Sequence, residues 1–286
     1  MKIQFTTTDQ VSLAGQLIEA KAAKAVVLIN PGTATKTSFY LPFAQFLAEQ
    51  GYHVLLWNYR GCCESRTGSI KHSSYRYADI GNYDIPAAIN QAKALFPELP
   101  LYCIGHSAGG QQIGFTEASQ QLAGLVAVAV SAGHMPHMPL GYRLQANLFF
   151  RVIVPLSVRL CGYVPAKKLK LMEDLPSQMA IEWGNWCKED SMFFSPKYYA
   201  EAVPNSIYQQ LGFPVHVIAA SDDEISTPKN TKNFWKHIHS QHGISFKSYD
   251  AASSPKRAIG HFGYFRKANQ YIWQDILQQL QEFQQR

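Results

Sequence analysis

Ser107 lies at the centre of a Gly-x-Ser-x-Gly string that spans residues 105–109. Such a short string can occur by chance, but its context is specific. The apolar run Leu101–Ile104 predicts a buried strand before it, and residues 108–119 predict a helix after it. A serine on this kind of strand-to-helix turn exposes its hydroxyl above the carboxyl end of a sheet. The sequence therefore predicts that Ser107 is a nucleophile.

A nucleophilic serine needs a general base, and the base needs an acid that fixes its tautomer. Where the nucleophile lies in Gly-x-Ser-x-Gly, the acid and then the histidine follow it along the chain. His261 lies in a loop flanked by glycines and is the predicted base, whereas His216 lies within a predicted strand. Asp223 follows an apolar strand and is the predicted acid, with the adjacent Asp222 as the alternative.

Two backbone N–H groups are needed to stabilise the oxyanion that forms when a serine attacks a carbonyl. Ala108 is the predicted first donor, because it begins the helix after the nucleophile. The second donor should come from the loop that follows the apolar run Ala25–Ile29, and Thr33 is the predicted residue, with Ala34 next.

The spacing of apolar runs predicts the fold that positions these residues. Alternating residues at 3–7 and 11–18 predict an N-terminal antiparallel hairpin. The later apolar runs do not alternate and are separated by helical patterns, which is typical of a doubly wound, mostly parallel α/β sheet. Seven prolines interrupt this rhythm, so we predict a core domain of residues 1–133 and 206–286 with an inserted, mostly helical cap at 134–205.

The predicted cap is rich in methionine and aromatic residues. Side chains of these types adapt to varied apolar ligands, so the cap should form a pocket for an acyl group above Ser107. Met135, Trp183 and Trp186 are the predicted substrate-binding residues. Packing within the cap's own core is the alternative, and it should account for most of its apolar residues.

Charge and composition exclude several classes of protein. Apolar residues make up 47% of the chain and charged residues 16%, which excludes a disordered linker. Lysine and arginine total 26 against 20 acids, but six of the basic residues lie between His134 and Met172, where there is no acid. This distribution argues against a nucleic-acid-binding protein. The basic segment predicts either a solvated face or weak attraction to an acidic substrate or an anionic membrane surface.

No cofactor or metal is predicted. The histidines at 134–137 and 237–242 have no cysteine or carboxylate at ligand spacing. Five scattered cysteines favour a reducing compartment, and the alternating N-terminal residues do not predict a secretory signal. The longest apolar run, Leu122–Val130, is about half a membrane span. We therefore expect a cytoplasmic protein.

These motifs together resemble the α/β-hydrolase family, and more narrowly a group of bacterial α/β-hydrolases without an assigned substrate. The matching segments are NYRGCCES, IGHSAGG, GYVPAKKLKLMEDLP, WGNWC, SDDEISTP and AIGHFGYFR. The resemblance implies a hydrolase of carboxylic esters or thioesters with Ser107, Asp223 and His261 as its triad. Two positions depart from the family pattern: Pro31-Gly32 replaces His-Gly in the oxyanion loop, and Asn58 replaces an acid.

Three other functions stay open from the sequence. An acyltransferase would use the same triad with an alcohol or amine in place of water. An aminopeptidase would need an acidic pocket for the substrate amine, whereas the predicted cap is basic. A non-catalytic ligand-binding protein could keep the fold without the chemistry.

Overall fold

A computed structural model describes residues 1–71 and 73–285 of the chain. Eight strands form one sheet in the order β1-β2-β4-β3-β5-β6-β9-β10, and β7 and β8 form a separate two-stranded pair. The strands are β1 Lys2–Thr6, β2 Ser12–Ile18, β3 Ala25–Asn30, β4 Tyr52–Trp57, β5 Leu101–His106, β6 Gly124–Val128, β7 Tyr163–Val164, β8 Leu175–Pro176, β9 Val215–Ala220 and β10 Ile244–Tyr249.

The sheet is parallel except at its N-terminal edge. Strands β1 and β2 pair antiparallel, and β2 pairs antiparallel with β4. All other pairs in this sheet are parallel, and both central strands, β3 and β5, are fully buried. Burial on both faces is why their residues do not alternate between apolar and polar. The predicted mostly parallel α/β sheet, with its N-terminal antiparallel hairpin, is confirmed.

Helices cover both faces of the sheet. The α-helices are α1 Thr37–Glu49, α2 Ile85–Leu95, α3 Ala108–Gln111, α4 Leu140–Leu148, α5 Val154–Cys161, α6 Ser177–Trp186, α7 Tyr199–Ala202, α8 Pro228–Trp235 and α9 Gln270–Gln284. Alternate residues of β3 enter two cores: Val27 packs in the core that contains α1 and α9, and Leu28 packs in the core that contains α2 and α8. The sheet is thus a middle layer between two helical layers.

The helix after β5 is shorter than the sequence predicts. Instead of a helix over 108–119, the structure has α3, of four residues, followed by 3₁₀ turns at Ile113–Phe115 and Glu117–Gln121. Gly109 and Gly110 have low helix propensity. Thr116 then begins a new turn, because its side chain accepts a hydrogen bond from the N–H of Ala118. Local hydrogen bonding therefore competes with continuation of the helix.

The segment between β6 and β9, for which the sequence predicts a cap, adds no strand to the main sheet. Its helices α4 and α5 are joined by a π-helical turn, Phe149–Ile153, into one helix of 22 residues, Leu140–Cys161. By length and composition, this is the one helix within residues 1–71 and 73–285 that could cross a membrane. Only 17% of its most apolar 18-residue window is buried.

Arg60 connects the start of the chain to the α2 region from a buried position. Its side chain is 1% exposed and forms ion pairs with Asp9 at 2.7 Å and Asp84 at 2.8 Å, while Asp79 lies 3.5 Å away. The N–H of Arg60 also donates to Asp84 Oδ2. The hairpin turn between β1 and β2 and the π turn before α2 are therefore fixed to the loop that follows β4.

Candidate active site

Ser107 lies on a strained turn between β5 and α3. Its φ is 50° and its ψ is −116°, in a backbone region that residues other than glycine rarely adopt. The turn is tight because its neighbours are glycines: a Cβ on Gly109 would lie 2.4 Å from the carbonyl oxygen of Asn30, and one on Gly105 would lie 2.6 Å from the Cα of Gly110. This is the geometry expected for a nucleophilic serine on a sharp turn.

Asp223 and His261 form a direct pair. His261 Nδ1 lies 2.9 Å and 3.1 Å from the two carboxylate oxygens of Asp223. Burial opposes ionisation of Asp223, but the nearby His261 and the N–H groups of Ile225 and Ser226 outweigh it and lower the pKa of the carboxyl group. An ionised Asp223 accepts the Nδ1 proton of His261, which leaves Nε2 unprotonated and able to act as a base.

Asp222, the alternative acid, makes different contacts. Its two carboxylate oxygens accept hydrogen bonds from the backbone N–H groups of Ile259, at 2.9 Å, and Gly260, at 3.0 Å. These residues immediately precede His261. Asp222 therefore fixes the backbone of the loop, whereas Asp223 contacts the imidazole.

The residue before Ser107 contacts the loop that carries His261. His106, next to Ser107, places its Nε2 2.9 Å from the carbonyl oxygen of His261, and the two imidazole rings have centroids 5.2 Å apart. Among the described residues, Ser107 Oγ has no hydrogen-bond partner. Bonds between a nucleophile and its base are often long without substrate and shorten when it binds.

Of the two predicted oxyanion donors, Ala108 follows Ser107 as the first residue of α3, and Thr33 lies in the loop between β3 and α1. In the described part of the chain, neither the N–H of Ala108 nor that of Thr33 donates to another protein group, which leaves both without a partner within the protein. The N–H of Gly32 is not free, because it donates to the hydroxyl of Tyr40 at 2.8 Å. Thr33 is held through its side chain, whose Oγ1 lies 2.6 Å from the hydroxyl of Tyr77.

His106 and Tyr40 link three loops of the site. The Tyr40 hydroxyl accepts from Gly32 and donates to His106 Nδ1 at 2.7 Å, so Nε2 of His106 carries the proton donated to the His261 carbonyl. Burial, together with the nearby His261, lowers the pKa of His106 to about 3. Sequence analysis missed this chain of hydrogen bonds, because 66 residues separate Tyr40 from His106.

The predicted substrate-binding residues differ in their surroundings. Trp186 is completely buried and packs against Phe115 and Phe193 in the core. Trp183 is partly exposed and stacks on Tyr77, the residue that holds Thr33. Met135 is buried in a small apolar cluster with Trp183 beside it. Of the three, Trp183 has the position best suited to contact a ligand.

One group of side chains in the described residues could hold a metal ion. Ligand atoms of His134, His137 and Asp190 all lie within 4.8 Å of one another. The sequence argument against a metal found no carboxylate at ligand spacing, and it missed Asp190 because that residue is 53 positions after His137. His137 Nδ1 also lies 3.1 Å from Asn230 Oδ1, which orients its ring.

Comparison with known families shows where the chain belongs. Residues 21–253 match the family described as Hydrolase_4, serine aminopeptidase, S33. The chain belongs to this family. The matched range contains Ser107 and Asp223 and ends before His261. Membership confirms the predicted relationship to the α/β-hydrolases and shows that the family is one of hydrolases.

Solved structures of the same fold include a monoglyceride lipase and two esterases. The soluble variant of the Saccharomyces cerevisiae lipase has a TM-score of 0.65 and 15% identity, and the match covers 98% of this chain and 94% of the lipase. The Exiguobacterium antarcticum esterase has a TM-score of 0.65 and 13% identity, over 98% and 100% of the two chains. The thermophilic Thermogutta terrifontis esterase has a TM-score of 0.60 and 17% identity, over 99% of both.

Proposed function

We propose that this protein is a serine hydrolase that cleaves carboxylic esters or thioesters with an apolar acyl group. The observation that carries the proposal is the Asp223–His261 pair, held beside the strained turn of Ser107. A buried carboxylate that orients an imidazole near a serine on a strained turn is the arrangement that activates a hydroxyl for attack. Similarity of fold to esterases and a monoglyceride lipase supports the choice of substrate class.

The proposed reaction has two steps. Ser107 Oγ attacks the ester carbonyl carbon while His261 Nε2 takes its proton, and the resulting oxyanion accepts hydrogen bonds from the N–H groups of Ala108 and Thr33. The C–O bond then breaks, and His261 returns the proton to the leaving alcohol. In the second step His261 deprotonates a water molecule, which attacks the acyl carbon. The bond from that carbon to Ser107 Oγ then breaks, His261 returns the proton to Oγ, and the carboxylic acid leaves.

The charges of the segment between β6 and β9 favour an ester over the N-terminus of a peptide. An aminopeptidase needs a free carboxylate for the substrate ammonium group. Glu182 instead accepts hydrogen bonds from Arg76 and from the N–H of Ala78. Glu173 forms ion pairs with Lys36 and Lys167. These carboxylates are already neutralised, whereas an ester substrate needs none.

Labelling with a fluorophosphonate probe tests the nucleophile. We expect the wild-type protein to be labelled and Ser107→Ala to be unlabelled, with Ser69→Ala, in an exposed loop, as the matched control. A panel of aryl esters of graded acyl length then tests the substrate class, and Ser107→Ala should lower kcat by about 10⁶. Equal labelling of Ser107→Ala and wild type would contradict the proposal. A folded wild-type protein that is never labelled would instead indicate a ligand-binding protein of the same fold.

Product analysis separates hydrolysis from acyl transfer on the same triad. With an ester substrate and a competing alcohol or amine, we expect the free acid to be the main product. A dominant transfer product would show that water is not the usual acceptor.

A further inference from the structure

The outer face of the helix Leu140–Cys161 carries a row of exposed apolar side chains. Six residues spaced four apart are each at least half exposed: Leu140 at 61%, Leu144 at 63%, Leu148 at 54%, Val152 at 50%, Leu156 at 54% and Leu160 at 71%. We call this set the leucine stripe. Since a helix rises 1.5 Å per residue, the stripe is about 30 Å long. Exposed apolar residues are normally scattered, and a continuous patch of this size marks an interaction surface.

The π-helical turn in the middle of the helix reduces how far the stripe winds around the helix axis. A spacing of four exceeds the 3.6 residues of an α-helical turn, so the stripe would drift around a purely α-helical axis. The wider turn at Phe149–Ile153 offsets part of this drift. It also precedes Pro155, which has no N–H to donate to the helix. All six side chains of the stripe therefore stay on the part of the helix that faces solvent.

Positive charge accompanies the stripe. Arg143, Arg151 and Arg159 each lie three residues after a member of the stripe, which places them along its edge. Lys167, Lys168 and Lys170 follow and are exposed, beside the exposed Leu169 and Leu171. No acidic residue occurs between 134 and 172. Within the described residues, Arg151 and Arg159 have no carboxylate partner.

The inner face of the same helix is packed against the protein. Ala146, Phe149 and Val154 are buried, and Tyr142 packs in a cluster that also contains Ile225, two residues after the proposed acid Asp223. A helix that crossed a bilayer would have to expose this inner face. A helix with one apolar face, a basic edge and a packed inner face is suited to lie flat at a membrane surface.

We propose that the leucine stripe inserts into the surface of an anionic phospholipid membrane, with the arginines and lysines at the level of the headgroups. Charge complementarity selects this partner. A second copy of the chain would bring two basic faces together, and like charges repel. Long basic side chains can extend to anionic headgroups while their aliphatic parts follow the apolar face. The inference does not rest on the esterase function, because binding to a membrane requires no chemistry.

Vesicle co-sedimentation of the full chain tests the proposal. We expect binding to vesicles of phosphatidylcholine with phosphatidylglycerol, and binding about tenfold or more weaker to phosphatidylcholine alone or in high salt. The variant Leu148→Gln/Val152→Gln/Leu156→Gln should bind anionic vesicles at least about tenfold more weakly, since each change removes apolar area that the membrane would bury. Phe246→Gln, at 59% exposure on β10, is the matched control and should bind like wild type.

A second variant measures how much the basic residues contribute to membrane binding. The oligomeric state in solution tests whether a second copy of the chain covers the stripe instead. Arg151→Gln/Arg159→Gln/Lys168→Gln should lose most of the salt-sensitive binding while it keeps the same circular dichroism spectrum as wild type. The proposal is wrong if the wild-type protein does not bind anionic vesicles, or if the stripe variant binds them as tightly as wild type. If wild type sediments as a dimer without lipid and the stripe variant as a monomer, a second copy covers the face and the proposal is wrong.

Discussion

Asp222 and Asp223 are neighbours of the same type, yet the structure gives them different partners. Asp223 is buried, contacts the imidazole of His261 and has a lowered pKa. Asp222 accepts two backbone N–H groups of the loop that carries His261. One carboxylate therefore orients the ring, and the other positions the loop.

Exchanging each carboxylate for an amide distinguishes these two roles. Asp223→Asn should lower kcat for an aryl ester by about 10⁴, because the amide favours the wrong tautomer of His261. Asp222→Asn keeps one oxygen that can accept a hydrogen bond from the loop backbone and loses the other. It should therefore lower kcat about tenfold or less. Steady-state kinetics of the two variants checks the assignment. A larger loss for Asp222→Asn would make Asp222 the orienting acid.

His106 should make stability depend on pH. Its pKa is about 3 in the folded protein and near 6.5 when unfolded, so the unfolded chain binds more protons between these values. The stabilisation from the neutral imidazole is complete above pH 6.5 and is lost as the pH falls toward 3, at up to about 1.4 kcal/mol per pH unit. His106→Gln cannot titrate but can still donate to the His261 carbonyl.

Urea unfolding between pH 4 and pH 6.5 measures this contribution. The free energy of unfolding of wild type should fall more steeply on acidification than that of His106→Gln. Three other histidines with a lowered pKa are present in both proteins and cancel in the comparison: His134, His216 and His237. Parallel curves for the two proteins would mean that His106 is not the titrating group.

The sequence predicts those site residues that a local pattern or chain order marks. Ser107 is marked by its glycines, and His261 and Asp223 by their order after it. Their geometry in the structure agrees with these roles, which stay predictions until the variants are measured. The Tyr40–His106 hydrogen bond could not be predicted, because nothing in the sequence around a tyrosine on α1 indicates a partner at the end of β5.

The turn between β5 and α3, which carries Ser107, accepts few substitutions. Its glycines have no room for a side chain where the backbone of Asn30 approaches Gly109. This closeness comes from the parallel pairing of β3 and β5, which places the end of one strand beside the turn after the other.

Gly109→Ala should therefore lower both stability and activity. Its Cβ would lie 2.4 Å from a backbone oxygen that cannot move freely, and overpacking of this kind costs about 1–3 kcal/mol or more. Gly141→Ala is the matched control, because nothing lies within 4 Å of its Cβ on the exposed start of α4. That change should stabilise the protein by about 0.5–1 kcal/mol. Urea unfolding and ester hydrolysis of both variants check the contrast.

Helices and strands were predicted well where one pattern of apolar residues dominates the sequence. They were predicted poorly where local hydrogen bonds compete with that pattern. The inner strands β3, β4, β5, β6 and β9 follow from their apolar runs, whereas the edge strand β10 is mostly polar and exposed. The short α3 does not follow, since Thr116 begins a separate turn that helical periodicity ignores. The leucine stripe was also missed, because its spacing of four and its proline match neither an ordinary helical face nor a continuous apolar run.

Arg60 connects parts of the molecule that are distant along the chain. It is nearly inaccessible and pairs with carboxylates from the N-terminal hairpin and from the π turn before α2. Breaking a buried pair leaves an uncompensated charge, which is far more costly than the pair's net contribution to stability.

A double-mutant cycle tests this reasoning. Arg60→Met should lower the free energy of unfolding by about 3–5 kcal/mol, because the buried carboxyl of Asp84 loses its ion-pair partner. Arg60→Met/Asp84→Asn should recover at least half of this loss, since the amide oxygen still accepts the N–H of residue 60. Chemical denaturation of both single variants and the double variant gives the coupling energy. Additive losses would show that the two side chains act independently.

The hydrogen bonds from Gly32 through Tyr40 and His106 to the His261 carbonyl also have a thermal consequence. The three loops that surround Ser107 share this connection, so none of them can loosen while the others keep their shape. On heating, enzyme activity and the folded structure should consequently be lost in the same transition. No folded but inactive intermediate should form at a lower temperature.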